Sequence, residues 1–489
     1  MHVSNLRLKF PGESSLIFRD LSFAVSKGEK VLLLGPSGSG KSTLLQVLSG
    51  IVPHSIEVPL KHDSITLPES WGFVFQDPDT QFCMPYVDEE LAFVLENLNV
   101  PRREMDPLIK QAMASVGLRL AESHTLIQNL SQGMKQRLAL ASVLLLQPDV
   151  LFLDEPSALL DPEGTTQIWE SVKEAAADKT VIIVEHKIDH IADWVDRVVL
   201  FNHEGEIIAD GLPPVIFETY KKELIQYGIW YPNVWDDYVA SPDFKQMNVP
   251  APKRENPVIR LQDFTGYRGK EEKINIEKAD IYAGSWITIV GENGVGKSTF
   301  LLALMHLLRT EGHYEINGQK IDLEQRKKQP PAELSLVFQN PELQFVTNSV
   351  FDEVAFSFRL LGMNESDIRA KVTDLLQLFH LTVGEERHPF QLSMGQKRRL
   401  SVATALAQGG KVLLLDEPTF GQDARNTFAI LERLEQLRRE GTTIVMVTHD
   451  LKIVEHFATE VWTIDEGKLV HISEPSREEI HHAGIVHTT

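Results

Sequence analysis

Two glycine-rich stretches, GPSGSGKST at 35–43 and GENGVGKST at 291–299, each directly follow an apolar run, VLLL at 31–34 and WITIV at 286–290. In each stretch the glycines (Gly35, Gly38, Gly40 and Gly291, Gly294, Gly296) let backbone N–H groups wrap around an anion. Lys41 and Lys297 carry positive charge toward the outer phosphates of a nucleotide, and the Ser42 and Ser298 hydroxyls suit Mg²⁺. Thr43 and Thr299 close each motif, and the helix that follows turns its positive N-terminus toward the phosphates. At ordinary composition about 0.02 chance matches to this pattern are expected in a chain this long. Two matches, each behind an apolar strand, therefore dictate an α/β unit built on a parallel sheet, and dictate it twice.

The repeat extends well beyond the phosphate loops. VFQDPDTQF (74–82) returns as VFQNPELQF (337–345), VLFLDEP (150–156) as VLLLDEP (412–418), and VEH (184–186) as VTH (447–449). The order is conserved between the halves and the spacing nearly so, which indicates tandem duplication of a domain of about 230 residues. A chain of 489 residues is too long for one core in any case. The expected division is 1–229 for the first domain, 230–257 for a joint and 258–489 for the second. Each half also carries a helical insert after the glutamine loop and a β-hairpin signal after VEH or VTH. The joint has the prolines of an irregular segment, but Trp230, Tyr231, Trp235 and Tyr238 are too many large aromatics for a floppy one. Part of it is expected to pack on a domain surface. The tail from about Ser473 reads as frayed, with incidental His481, His482 and His487.

Composition narrows the function. The net charge of −21 disfavours general nucleic-acid binding. No apolar run approaches the roughly 18 residues of a membrane span, and the N-terminal MHVSNLRLKF lacks the apolar core of a signal peptide. A single cysteine, Cys83, fits a reducing compartment.

An apolar strand ending in Asp-Glu follows each phosphate loop. Asp154 and Asp416 would hold Mg²⁺ at the strand ends, and Glu155 and Glu417 are candidate general bases for an attacking water. Such a pattern is weak alone and strong behind a phosphate loop.

The segments LSQGMKQRLALA (130–141) and LSMGQKRRLSVA (392–403), just ahead of the Asp-Glu strands, resemble the LSGGQ signature of ATP-binding-cassette (ABC) ATPases. The resemblance covers nearly the whole chain apart from the joint and the tail. It implies two tandem P-loop NTPase domains, each with a RecA-like parallel core and a helical subdomain, facing head to tail. It implies ATP and Mg²⁺ as ligands. Gln76 and Gln339 match the Q-loop, which touches the metal, and His186 and His449 match the switch histidine. Asp161 and, more loosely, Asp423 match the D-loop. Phe10 and Tyr267 match the aromatic that stacks on adenine. In such proteins each ATP lies between the P-loop of one cassette and the signature of the other. Lys41 would then work with Ser393, Gly395 and Gln396, and Lys297 with Ser131 and Gly133. Gln132 and Met394 replace the first signature glycine, and Met134 replaces the final glutamine of the first signature. The site built from Lys297 and that signature is therefore expected to be the weaker one.

Within the ABC family, the D/N-P-[DE]-x-Q-F after each glutamine and the VDEELAF (87–93) and VFDEVAF (350–356) that follow resemble ATPases of energy-coupling-factor (ECF) importers of vitamins and transition metals. That resemblance implies a peripheral protein on the cytoplasmic face of the membrane. Its partners would be a transmembrane scaffold and a separate substrate-binding membrane subunit. Scaffold helices are expected in a groove lined by Gln76, Phe82, Asp88 and Glu89, and by Gln339, Phe345, Asp352 and Glu353. A solvated acidic helix start explains the carboxylates equally well. A conventional ABC transporter ATPase and a soluble tandem ATPase acting on ribosomes remain as alternatives. Because ATPase subunits do not touch cargo, thiamine or its pyrimidine precursor enters by analogy alone.

Overall fold

The computed structural model describes residues 1–11, 15–158, 160, 162–247, 256–323, 330–381 and 384–475. Asp161 and the three tail histidines lie outside the described residues. The chain forms two compact units that divide between Val234 and Trp235, with Asp423–Arg425 grouped with the first.

In the first unit a six-stranded sheet runs in the order Ile207–Gly211, Arg197–Phe201, Lys30–Leu34, Thr180–Val184, Val150–Asp154, Trp71–Val74. All neighbours are parallel except the first pair, the hairpin expected after VEH. Val150–Asp154 and Thr180–Val184 are buried throughout, as strands covered on both faces must be. That demand is why the sequence spells them as unbroken apolar runs. A smaller antiparallel sheet joins His2–Leu8 to Phe18–Ala24, Leu60–Lys61 and Ser64–Thr66.

The second unit repeats the parallel order with Glu460–Asp465, Trp286–Val290, Thr443–Val447, Val412–Asp416 and Leu334–Val337. Here the antiparallel strands are continuous with the core, through a bridge from Asn275 to Lys468, and make one sheet of ten strands. In both units the strand that feeds the phosphate loop is central, flanked by the strands that end near the switch histidine and that begin the hairpin. The helical inserts are Val87–Asn97, Arg102–Ser115 and Gln132–Leu145 in the first unit, and Val350–Leu360, Glu365–Leu378 and Met394–Ala407 in the second.

The joint corrects the expectation of irregular chain. Val234–Ala240 and Pro242–Met247 are helices, and Pro242 sits at a helix start, where its missing N–H costs nothing. The aromatics supply the reason. Tyr238 stacks on Phe428 at 3.9 Å between ring centroids, and Trp235 meets the same ring edge-on at 5.0 Å. This part of the joint packs on the second unit.

Candidate nucleotide sites

The first site is assembled from the C-terminal ends of four adjacent parallel strands. Lys30–Leu34 leads through Gly35–Gly40 into the helix Lys41–Ser49. Gly38 (φ 84°) and Gly40 (φ 91°) take left-handed conformations. A Cβ at Gly40 would stand 2.8 Å from Ile17 and from the Phe18 ring, so both backbone and space require glycine there. Lys41 is buried, and its Nζ donates to the carbonyls of Gly35 (2.8 Å) and Pro36 (2.9 Å). Burial lowers its pKa to about 8, against the opposing pull of Glu155 and Asp154.

Val150–Asp154 delivers the next pair. Ser42 Oγ donates to Asp154 Oδ1 at 2.8 Å. Burial raises Asp154 to about 6 in spite of that bond. Glu155 follows in a left-handed conformation (φ 50°), held by its N–H on the Val184 carbonyl at 2.8 Å. A non-glycine residue pays about 1–3 kcal/mol for such a conformation, a cost that clusters at functional sites. The Glu155 side chain receives Gln76 Nε2 at 2.6 Å and lies 3.0 Å from His186 Nε2. Burial alone would raise Glu155, but His186, Lys41 and Gln76 together hold it below the usual range. The converse applies to His186: burial lowers it, and Glu155 more than reverses that. Six residues singled out by the sequence, Lys41, Ser42, Gln76, Asp154, Glu155 and His186, are thus brought together.

The second site has the same plan, with a wider glutamate–histidine separation. Gly294 (φ 83°) and Gly296 (φ 111°) are left-handed, and Lys297 Nζ donates to the Gly291 and Glu292 carbonyls at 2.7 Å each. Asp416 is raised by burial, opposed by a hydrogen bond from Ser298. Glu417 repeats the left-handed conformation (φ 52°) and the backbone tie, here to Val447 at 3.0 Å. His449 Nε2, however, stands 3.7 Å from Glu417 Oε1, and the bond made by Gln76 has no counterpart at Gln339 among the described residues.

The fit to a divalent cation rests on donor chemistry. Serine and aspartate oxygens converge in each site, as a hard cation requires. Asp416 Oδ1 is buried with no hydrogen-bond partner among the described residues, an acceptor awaiting a cation or its water.

Signature serines cap the helices they precede. Ser131 accepts from Met134 N, and Ser393 from Gln396 N, both at 3.3 Å. Only the second makes a full capping box, because Gln396 Oε1 accepts from Ser393 N at 3.0 Å and Met134 offers no acceptor. The Gln396 amide oxygen is thereby engaged within its own helix. Gly133 lies under Leu160, and Gly395 beside Gln422. Asp423 precedes the helix Ala424–Arg439. Phe10 packs partly buried on the first core. Tyr267 donates to Glu311 at 3.1 Å, and the Arg309 guanidinium sits 4.8 Å from its ring centroid.

The acidic groove lining is corrected. Glu353 is buried, and accepts from Thr347 N (2.8 Å), Thr347 Oγ1 (2.7 Å) and Val346 N (3.1 Å). Its counterpart is Glu90, which accepts from Cys83 N and Met84 N at 2.8 Å each. The two halves therefore align one residue away from the pairing of Asp88 with Asp352. These glutamates hold the loop after the glutamine to its helix and are not available to a partner. Asp352 pairs with Arg359 at 2.8 Å, Asp88 with His124 at 3.0 Å, and Phe345 belongs to the core.

Glu185 escaped sequence reasoning, which used it only as the middle letter of VEH. The signal was present as the difference from VTH. Its carboxylate is buried, and burial, reinforced by Glu155, pushes it up to about 7.

Comparison with known proteins defines the class. The ABC transporter family model matches residues 18–158 and 275–420. The chain belongs to that family, and it is an ATPase with two cassettes. A Bacillus subtilis (strain 168) protein provisionally named HMP/thiamine import ATP-binding protein YkoD is 35% identical over 99% of this chain and 93% of its own length. An ABC transporter ATP-binding protein of Methanosarcina acetivorans is 32% identical over 96% of this chain and 85% of its own. Among solved structures, the archaeal ribosome recycling factor aABCE1, in complex with the ribosomal stalk protein aP1, matches with a TM-score of 0.68 at 19% identity. That match covers 98% of this chain and 92% of the other, and at this identity it speaks to fold alone. Among the described residues, no helix is long and apolar enough to cross a membrane.

Proposed function

We propose that this chain is the ATP-hydrolysing subunit of an ECF-type importer, peripheral on the cytoplasmic face of the membrane. Its partners are a transmembrane scaffold and a substrate-binding membrane subunit. The observation that carries the reading is the 35% identity, across nearly the whole chain, to a protein named for HMP/thiamine import. Thiamine or its hydroxymethylpyrimidine precursor is accordingly the cargo to test first. Exposed Leu343 and Val346, beside the Gln339 loop, support a docked apolar partner.

In this reading Lys41 and Lys297 leave their loop carbonyls for the β- and γ-phosphates. Phe10 and Tyr267 stack on adenine. Ser42, Asp154 and Gln76, and likewise Ser298, Asp416 and Gln339, would hold Mg²⁺, which when bound would neutralise phosphate charge. Glu155 and Glu417 accept the proton of the attacking water, and His186 and His449 orient them. Each site is completed by the opposite signature: Ser393 and Gly395 serve Lys41, and Ser131 and Gly133 serve Lys297. Fusing the cassettes raises the effective concentration of each for the other.

The test is co-expression with a candidate transmembrane scaffold and substrate-binding membrane subunit from the same genome, followed by uptake of labelled thiamine and hydroxymethylpyrimidine in vesicles. ATP-dependent uptake of either supports the assignment. Sedimentation with ribosomes, without a membrane complex, would replace it with the recycling-type alternative.

A further inference from the structure

Glu155 and His186 sit on separate loops, one after the strand Val150–Asp154 and the other after Thr180–Val184. Glu185 ties those loops together. Its Oε2 accepts from Ser157 Oγ at 2.8 Å, two residues beyond Glu155. Its Oε1 accepts from the backbone N–H of His186 at 2.9 Å. The bond to Ser157 is out of water, because Glu185 and Ser157 are buried, and the bond to His186 is partly so. Thr448 takes the same position in the second cassette, where its hydroxyl accepts from Asp450 N at 3.1 Å within its own loop. Among the described residues no side-chain bond from Thr448 reaches Thr419, the counterpart of Ser157. The glutamate–histidine separation follows the same division, 3.0 Å with the tie and 3.7 Å without it.

We propose that Glu185 is a positioning residue of the first cassette, whose carboxylate braces the Glu155 loop against His186 and so sets the distance between that glutamate and that histidine. The inference rests on Glu155 being the general base of the first site. A short carboxylate tie suits this place because it satisfies a hydroxyl and a backbone N–H at once. A threonine cannot span both loops.

Glu185→Thr gives the first cassette the residue of the second and tests the idea in the intact chain. Turnover is counted per bound nucleotide, so that loss of folded protein does not enter. We expect kcat to fall about ten-fold or more, since small displacements of catalytic groups cost up to about 10²-fold, with KM for ATP unchanged within about two-fold. Ser157→Ala, which removes one of the two bonds, should lower kcat less, and the double variant should fall no further than Glu185→Thr alone. Glu185→Gln, which keeps one acceptor oxygen for Ser157, should recover part of the loss. Unchanged kcat in Glu185→Thr, or a rise in KM with kcat intact, overturns the proposal. Glu155→Gln is measured alongside. If it hydrolyses at the normal rate, the base assignment itself has failed. If it is impaired while Glu185→Thr is normal, only the positioning role has.

Discussion

Glu155 Oε1 lies 3.0 Å from His186 Nε2, whereas the equivalent atoms of Glu417 and His449 are 3.7 Å apart. The first distance is a hydrogen bond and the second is not. Glu155 also receives Gln76, so its carboxylate is oriented from two sides. A glutamine at either position keeps the shape but cannot accept a proton. Glu155→Gln and Glu417→Gln should therefore retain ATP and hydrolyse it slowly, by about 10²-fold or more at the altered site. The Glu155 variant should lose the larger share of total turnover. Phosphate release and retained nucleotide, measured on both, decide it. A larger loss from Glu417→Gln would mean that pair separation does not rank the two sites.

Much of this arrangement was legible from residue order, because phosphate loops, Asp-Glu strands and switch histidines must occupy neighbouring strand ends for chemistry to occur. Their backbone geometry follows from their types: Gly40 could be read as obligatory, and the structure shows that the Ile17 and Phe18 side chains forbid anything larger. Glu353 was misjudged because a carboxylate at a helix start reads as solvated. Only the fold reveals that it turns inward to three donors on the preceding loop. The aromatics of the joint rightly marked part of it as packed, but its helices are hidden behind prolines, which are local signals, and the ring that Tyr238 stacks on, Phe428, lies far along the sequence. The tie made by Glu185 was illegible for the same reason.

Lys41 and Lys297 are held by pairs of loop carbonyls at 2.7–2.9 Å. Those bonds keep each ammonium over its loop. Lys41→Ala and Lys297→Ala should each weaken ATP binding and lower turnover at least ten-fold, because charge on the β- and γ-phosphates is lost. Equilibrium binding of a fluorescent ATP analogue and steady-state hydrolysis test both. Full turnover in either variant would make that loop structural.

Glu185 should make the stability of the first cassette depend on pH. Burial, with Glu155 beside it, raises its folded pKa to about 7, above the ordinary value of 4.5. A raised carboxyl favours the folded state fully below the unfolded pKa, and that contribution is lost as pH rises through the folded one. The shift corresponds to about 3 kcal/mol across the window from 4.5 to 7. Glu185→Gln carries no such charge, so its unfolding midpoint should change less between pH 5 and pH 8 than that of the unaltered chain. Parallel curves for the two proteins would show that the carboxylate is not held neutral by its site.

The coupling surface gives the sharpest division between the import reading and its alternatives. Glu90 and Glu353 serve the fold: each buried carboxylate accepts backbone N–H groups of the loop that follows the glutamine. Removing such an acceptor strands those donors at about 1–3 kcal/mol or more. Glu353→Ala should therefore lower stability and hydrolysis in the isolated chain. Leu343 and Val346 are different. They are 70% and 69% exposed and lie in and just after the short turn Pro341–Gln344 that follows the glutamine. Exposed apolar side chains here contribute little to folding and are suited to a partner helix. Leu343→Ser with Val346→Ser should leave ATP hydrolysis by the isolated chain near normal, reduce co-purification with the membrane scaffold, and abolish uptake. Measuring the isolated chain and the reconstituted complex side by side separates the outcomes. Equal loss in both would make the pair part of the cassette core. Unimpaired uptake would remove this loop from the coupling surface, and the importer assignment would then stand on sequence identity alone.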